Sequence, residues 1–222
     1  MGWPKLWVFV RHGRSEGNDL SKDERARLTY PTFEYRLTEL GRRQAEITGE
    51  YLRENFGGFD RYYISTYRRT RETLEIMYPG VVPRVDSRLD EVDRGIENVL
   101  TQAEIAEQFP FEIERRRMFG RYRYRPLGGE SWAEVEHSRV TPICHHVTRK
   151  YGGKRLLFVG HGTWFVIFGG KIHHRSIAET ELEYEHRHPE NASVTVYEGV
   201  ERDGKSILEL KAYNIIPWEG KI

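Results

Sequence analysis

The amino-acid sequence predicts an α/β protein that folds as a single unit, with strands and helices alternating along the chain. Two apolar runs typical of strands, at residues 5–10 and 155–159, are each followed, after one further residue, by a histidine and a glycine. Helical patterns separate these runs, and no linker rich in Ser, Pro or Gly divides the chain. A chain of 222 residues is long enough for one domain with a substantial buried core.

Further strands are predicted from short apolar runs. Residues 61–65 predict a second strand and residues 81–85 a third. Near the end of the chain, residues 193–197 and 207–210 alternate between apolar and polar side chains and are spaced like an antiparallel hairpin. Such a hairpin would lie at the edge of a mixed sheet.

Helices are predicted from apolar residues that recur every three or four positions, and from capping boxes at helix starts. The polar stretch over residues 15–28 is expected to be a loop with helical pieces. The predicted helices cover residues 37–56, 68–77 and 163–168, and two more begin at the capping boxes of Thr101 and Ser131, the second ending near residue 151.

Composition excludes several classes of protein. The 35 Lys and Arg residues balance 34 Asp and Glu, giving a formal net charge of +1, so the overall field does not indicate nucleic-acid binding. Cys144 is the only cysteine, which excludes an internal disulfide and a cysteine-rich zinc site and favours a small buried hydrophobic role. The first residues lack signal-peptide features and no apolar run is long enough to span a bilayer, so we expect a soluble, cytoplasmic protein that binds no membrane.

The two His-Gly pairs indicate a catalytic site. Side chains just past the carboxyl ends of strands face the crevice where an open α/β sheet binds ligands, so His12 and His161 are expected to meet there. Arg11 stands directly before the first histidine, and its planar guanidinium matches phosphate oxygens. Spacing alone does not say which of three further arginines, at the same end of the sheet, points inwards. These are Arg68, Arg69 and Arg71.

Several short motifs follow one another along most of the chain. They are Arg11-His12-Gly13-Arg14-Ser15 with Asn18; Leu37-Thr38-Glu39-Leu40-Gly41 with Gln44 and Ala45; Ser65 with Arg69 and Thr73; Leu89-Asp90-Glu91 with Gly95 and Glu97; and Gly160-His161-Gly162. In this order they resemble the histidine phosphatase superfamily, also called phosphoglycerate-mutase-like, and residues 125–131 are similar to a stretch of its phosphatase branch. The resemblance implies a three-layer α/β/α sandwich with a mostly parallel mixed sheet.

The resemblance also implies an activity, that of a metal-independent phosphatase without a cofactor, acting on a small phosphorylated metabolite. His12 would attack phosphorus to give a phosphohistidine, and Glu91 would protonate the leaving oxygen and then activate water. Only the family spacing selects Glu91 over Asp90, Asp93 and Glu97, which have the same chemistry in principle.

The remaining site residues surround the phosphate in this interpretation. Arg11, Arg69 and His161 form the pocket, and Asn18 and Gly162 add substrate contacts. Two alternatives stay open: phosphoryl transfer of the phosphoglycerate mutase type, and a noncatalytic module that binds phosphorylated ligands.

The chain departs from the superfamily pattern at three positions. Thr66 and Thr70 stand where Pro and Ala are usual, which leaves Arg68 as a competitor of Arg69. Gly160 replaces a common Ser before His161. This change removes a hydroxyl but no charge, so it affects fine positioning more than activity.

A basic and aromatic run over residues 112–125 allows two interpretations. It is either a solvated helix end and connecting loop, whose arginines pair with acidic neighbours, or a cap of about residues 98–130 that selects acidic or multiply phosphorylated substrates. The histidine clusters at residues 145–146, 173–174 and 186–188 lack metal-ligand spacing and are expected to be surface or core residues.

Overall fold

The computed structural model of the chain describes residues 2–222 and contains one six-stranded mixed sheet. The strands lie in the order β3-β2-β4-β1-β5-β6; the first four run parallel, and β5 and β6 are antiparallel to their neighbours. This confirms the expected mixed sheet with a hairpin at its edge. The strands are β1 (Leu6–Arg11), β2 (Arg61–Ile64), β3 (Arg84–Val85), β4 (Arg155–Gly160), β5 (Val194–Arg202) and β6 (Lys205–Ile215).

Ten α-helices and several short turns connect the strands within the described residues. The helices are α1 (Glu16–Asp19), α2 (Lys22–Ala26), α3 (Glu39–Phe56), α4 (Arg68–Met77), α5 (Gln102–Gln108), α6 (Pro110–Arg123), α7 (Trp132–Val135), α8 (Thr141–Lys150), α9 (Gly162–Ile172) and α10 (Ile177–His186). A π-helical turn, Glu136–Val140, joins α7 to α8, and 3-10 turns cover Thr32–Glu34, Ser87–Leu89 and Gly95–Asn98.

Helices cover both faces of the sheet, as the three-layer prediction requires. Successive side chains of a strand point to opposite faces, so Trp7 and Phe9 of β1 pack with α8 and α9, while Val8 and Val10 pack with α3 and α4. These four side chains are at most 1% exposed. Burying a side chain of this kind stabilises the fold by about 1.5–3 kcal/mol relative to exposure.

Most predicted elements are confirmed, and the deviations have physical reasons. The helix predicted over residues 68–77 has those bounds, and the long helix begins at Glu39 because the Thr38 hydroxyl caps it. The third strand shrinks from residues 81–85 to Arg84–Val85 because it lies at the sheet edge, where Val82 is 91% exposed.

Two helices were not predicted. In α6 the run of residues 112–125 forms a helix up to Arg123, bent at Gly120, rather than a helix end and a connecting loop. Arginines and aromatic residues alternate there without a helical apolar period, so the pattern concealed the helix. The start of α10 carries an overlooked signal, a capping box between Ser176 and Glu179.

Candidate active site

His12 follows β1 and presents a neutral imidazole with a defined tautomer. Its Nδ1 donates to the carbonyl oxygen of Gly13 at 2.8 Å, so Nε2 carries the free electron pair. That electron pair accepts a hydrogen bond from Nε of Arg69 at 3.1 Å. Burial lowers the pKa of His12 well below its usual value of 6.5, and the nearby Arg69 and Arg11 charges lower it further.

His161 lies next to His12 because β1 and β4 are parallel neighbours, with Arg11 paired to Gly160. The two ring centroids are 5.3 Å apart. Nδ1 of His161 accepts from Nη2 of Arg69 at 3.1 Å, and Nε2 then donates to the Ser65 hydroxyl at 2.8 Å. Burial, followed by the Arg69 charge, also lowers the pKa of His161 well below 6.5.

Arg69 joins the two imidazoles from the first turn of α4. Its third nitrogen, Nη1, donates to the carbonyl oxygen of Thr32 at 2.8 Å, and its guanidinium carbon lies 4.6 Å from the ring centre of Tyr67. Burial lowers the pKa of Arg69 to about 10, which leaves it charged at neutral pH. Arg68 instead pairs with Glu72 at 2.8 Å near the surface, so the structure places Arg69 in the site and Arg68 outside it.

Arg11 is the second guanidinium of the site. Its Nη1 donates to the carbonyl oxygen of Pro189 at 2.6 Å and contacts Nδ1 of His188 at 3.3 Å. Its Nε is buried and has no partner among residues 2–222. Burying an unpaired N–H is unfavourable, and a phosphate oxygen would satisfy it.

Glu91 lies at the N-terminus of α9. Its carboxylate accepts hydrogen bonds from the backbone N–H groups of Trp164 at 3.2 Å, Thr163 at 3.4 Å and Val92 at 3.0 Å. The first two belong to the first turn of α9, where the helix dipole favours a negative charge. The dipole and these donors hold the carboxylate at the cavity wall.

The other three candidate acids are engaged elsewhere. One carboxylate oxygen of Asp90 accepts from the N–H and hydroxyl of Thr66, at 2.8 and 2.9 Å. Asp93 accepts from backbone and side-chain N–H groups in the 3-10 turn that follows it. Glu97 pairs with Arg116 at 3.1 Å. Of the four, the structure brings only Glu91 to the wall of the cavity that His12 lines.

Asn18 closes the pocket from α1. Its Oδ1 accepts from the backbone N–H and the hydroxyl of Ser15, both at 2.9 Å. The amide nitrogen of Asn18 makes no hydrogen bond with any of residues 2–222, and the side chain lines the cavity. It can therefore donate to a ligand.

These groups surround a cavity of about 210 Å³. Of the candidate residues, Arg11, His12, Asn18, Arg69 and Glu91 form its surface. His161 is fully buried behind Arg69, and Gly162 opens α9 behind the wall, so substrate contacts of these two stay predictions.

Gly13, Gly41, Gln44 and Thr73, which belong to the short motifs of the sequence, hold the loop after His12 in place. A Cβ on Gly13 would lie 2.4 Å from the Gly41 carbonyl oxygen, so the loop and α3 approach each other too closely for a side chain. Gln44 accepts from the Arg14 N–H at 2.9 Å, and Thr73 accepts from the Gly13 N–H at 3.0 Å. These contacts fix the backbone from which the His12 ring projects.

The three departures from the superfamily pattern have local explanations. Thr66 provides an N–H, which proline lacks, to Asp90, and the Thr70 hydroxyl lies 3.0 Å from the Ser65 hydroxyl that contacts His161. A Cβ on Gly160 would lie 3.0 Å from the Phe9 ring, so a serine would crowd that aromatic side chain.

A second cavity of about 130 Å³ adjoins the first and shares four lining residues with it, Val92, Arg94, Thr163 and Tyr184. Arg116, Arg121 and Tyr124 of the basic run line this second cavity. The arginines of the run also pair with acidic residues, as the first interpretation expected. The pairs are Arg115 with Glu112, Arg116 with Glu97, Arg117 with Glu114, Arg121 with Glu185, and Arg125 with Glu134.

Sequence reasoning missed His188, which lines the same cavity as Arg11 and His12 and is neither a surface nor a core residue. It also missed Asn191, whose side-chain nitrogen donates to the His12 carbonyl oxygen at 3.0 Å. The signal that could have found both residues is the polar segment His188-Pro189-Glu190-Asn191 directly before the last hairpin.

Two features of other classes of protein are absent from the described residues. Residues 2–222 contain no group of three or more His, Cys, Asp or Glu side chains arranged to hold a metal ion. In the same part of the chain, every helix is too short or too polar to cross a membrane.

Comparisons with known proteins agree with this geometry. The sequence profile of the histidine phosphatase superfamily (branch 1) matches residues 7–212. Phosphoglycerate mutase-like protein AT74H of Arabidopsis thaliana is 31% identical over 206 residues, covering 80% of this chain and 69% of the plant protein. A 2,3-bisphosphoglycerate-dependent phosphoglycerate mutase of Methylocella silvestris is 31% identical over 168 residues, covering 71% and 76% of the two chains.

Solved structures agree at the level of the fold. The native structure of a mycobacterial glucosyl-3-phosphoglycerate phosphatase superposes with a TM-score of 0.74 at 25% identity, covering 95% of this chain and 99% of that one. A structure described as mycobacterial hydrolase 1 gives a TM-score of 0.75 at 25% identity, covering 96% and 99%.

Proposed function

Because this chain belongs to the histidine phosphatase superfamily, whose members are phosphatases and mutases, we propose that it is a metal-independent phosphatase that hydrolyses a small phosphomonoester through a phosphohistidine at His12. One observation carries the proposal. The buried His12, whose Nε2 electron pair accepts from Arg69, lines a cavity together with Arg11 and Arg69, and neither of these two arginines has a carboxylate partner within 4 Å among residues 2–222.

In the first step, the electron pair of His12 forms a bond to phosphorus while the bond to the leaving oxygen breaks. Arg69 engages this electron pair, but a phosphoryl oxygen is a stronger acceptor for a guanidinium than an imidazole is. Bound phosphate therefore draws the Nε–H of Arg69 away and frees Nε2 for attack. Arg11 and Asn18 stabilise the charge on the transferring oxygens.

Glu91 handles the protons in both steps. It first takes the proton that a monoanionic phosphomonoester carries on its phosphoryl group and gives it to the leaving oxygen, so that the product departs as an alcohol. It then takes a proton from water as the water oxygen attacks phosphorus and the bond to His12 breaks. Inorganic phosphate leaves, and the enzyme returns to its starting protonation state.

The size of the cavity supports a small metabolite as substrate, and the balanced overall charge gives no reason to propose nucleic acid. We place the part of the substrate beyond phosphorus towards the second cavity. The segment of about residues 98–130 would then act as the cap, since α6 supplies Arg116 and Arg121 to the lining of that cavity and Tyr124, directly after the helix, lines it too.

Phosphoryl transfer of the phosphoglycerate mutase type is the second candidate. The second cavity contains Lys22, Arg94 and Arg116, which could hold another anionic group of the same substrate. The bacterial relative named as a mutase gives this candidate independent support.

The experiment that separates the candidates follows two products at once. The protein is incubated with a panel of phosphomonoesters and with 3-phosphoglycerate in the presence of a chelator, and free phosphate and isomer formation are measured separately. The proposal expects phosphate release that the chelator does not reduce and that His12→Ala abolishes. Isomer without phosphate release would establish the mutase instead, and binding without turnover would establish a noncatalytic module.

A further inference from the structure

We propose that His188 is a positioning residue, which holds the guanidinium of Arg11 in the orientation that binds the phosphoryl group. The inference rests on the proposed function, since it assigns a device within the same site. His188 lies in the segment between α10 and β5, more than 170 positions after Arg11 in sequence, and its ring lines the phosphate cavity.

The fold makes room for this imidazole at one position of α9. A Cβ on Gly162 would lie 2.1 Å from Cε1 and 2.5 Å from Nε2 of His188, so the ring packs directly on the glycine backbone. The ring also packs against Tyr184, with ring centroids 5.0 Å apart and planes at 86°. The glycine and the tyrosine together restrict the ring to a narrow slot.

Within this slot, Nδ1 of His188 is 3.3 Å from Nη1 of Arg11. A guanidinium only donates hydrogen bonds, so Nδ1 is the acceptor and the ring is neutral in this contact. The same Nη1 donates to the Pro189 carbonyl oxygen at 2.6 Å. His188 and Pro189 therefore hold Nη1 of the Arg11 guanidinium and leave its other N–H groups for the ligand.

The anchoring of Arg11 keeps its unpaired Nε at the site where the phosphoryl group would bind. That nitrogen is buried without a partner among residues 2–222, and it is held there by the anchor at the opposite end of the guanidinium. Burial, and then the Arg11 charge, lowers the pKa of His188 to about 4, so the ring remains an acceptor at neutral pH. A preorganised arginine binds phosphate without first losing side-chain freedom.

The test replaces the acceptor in two ways and uses inorganic phosphate as the probe. His188→Asn offers an amide oxygen near the position of Nδ1, whereas His188→Leu fills similar space with no acceptor. His186→Leu is the matched control, because His186 is exposed two positions away. Phosphate affinity is measured by calorimetry, and thermal unfolding checks that each variant folds.

We expect the Leu variant to bind phosphate about tenfold more weakly, the Asn variant to stay within about threefold of the unchanged protein, and the control to be unchanged. Side-chain NMR of Arg11 provides a readout without a ligand: slow rotation about the Nε–Cζ bond in the unchanged and Asn proteins, and faster rotation in the Leu variant. Equal phosphate affinity and equal rotation in the Leu variant would overturn the inference alone. Failure of the unchanged protein to bind phosphate would instead overturn the proposed function.

Discussion

Replacing Arg69 with glutamine tests the arrangement of the site most broadly. The guanidinium donates to Nε2 of His12, to Nδ1 of His161 and to the Thr32 carbonyl oxygen, so one substitution removes the contact that joins both imidazoles. Arg68→Gln is the matched control, because this neighbouring arginine pairs with Glu72 on the surface and does not enter the cavity.

The expected loss follows from two effects of different size. Removing a preorganised donor to charge that develops in the transition state costs about 100- to 1,000-fold in kcat, or roughly 2.7–4 kcal/mol. The second effect is on the His12 pKa, which Arg69 lowers more than any other neighbouring charge. If the variant raised this pKa fully to 6.5, about three quarters of the imidazole would still be neutral at pH 7. The lost donor therefore dominates at neutral pH.

The two effects separate on acidification. Replacing Arg69 removes the largest neighbouring charge that lowers the His12 pKa, but burial, the largest cause, remains, so the pKa rises towards its usual value. The variant should therefore lose more activity between pH 7 and pH 5.5 than the unchanged protein does.

The assay is the initial rate of phosphate release from an aryl phosphate, measured for both variants between pH 5 and 8. The reasoning predicts a loss of at least about 100-fold for Arg69→Gln at pH 7 and less than about threefold for Arg68→Gln. It is refuted if Arg69→Gln retains a third of the activity, or if Arg68→Gln is the more damaging of the two while both variants remain folded.

Three further predictions concern single features of the structure. Glu91→Gln should slow hydrolysis of alkyl phosphates by about 100- to 10,000-fold but affect the first step with aryl phosphates much less, since aryl oxygens leave without protonation; equal losses for both in single-turnover rates would contradict the acid role. Gly13→Ala should destabilise the fold by about 1–3 kcal/mol, because its Cβ would lie 2.4 Å from the Gly41 carbonyl oxygen, and urea unfolding measures this loss. Gly58→Ala is the control and should leave the stability unchanged, because the atom nearest to its Cβ would be 3.7 Å away. Below pH 6.5 the three histidines at positions 12, 161 and 188 take up protons in the unfolded chain but stay neutral in the fold, so the free energy of unfolding should fall as the pH falls. His188→Asn should reduce the slope of this free energy by about 1.4 kcal/mol per pH unit between pH 6.5 and about 4. An unchanged slope would contradict the buried neutral state of His188.

The elements that position the histidines could be predicted because their signals are local. Apolar runs before His12 and His161 indicate strands, and strand ends in a parallel sheet meet at one edge. The boundaries of α4 were also accessible from periodicity, but the choice between Arg68 and Arg69 was not. That choice depends on which side of the helix faces His12, which only the packed helix defines.

Residues that reach the site through long-range packing could not be predicted from the sequence. His188 enters the cavity because Gly162 leaves space for its ring, and neither residue marks the other in sequence. The helical state of α6 was concealed for a different reason. Its arginines form ion pairs with acidic residues of other segments, such as Glu97 and Glu185. The helix is therefore held by these ion pairs and not by an apolar stripe that the sequence would reveal.

The central claim is that phosphorus becomes bonded to Nε2 of His12, and it can be tested by trapping the intermediate. The protein is mixed rapidly with a labelled phosphomonoester and quenched in alkali, which preserves phosphohistidine, and the labelled peptide is identified by mass spectrometry; phosphorus NMR assigns the ring nitrogen. We predict a burst of label on the peptide containing His12, attached at Nε2, and none in His12→Ala. Turnover without a phosphoenzyme, or label on any other residue, would contradict the account.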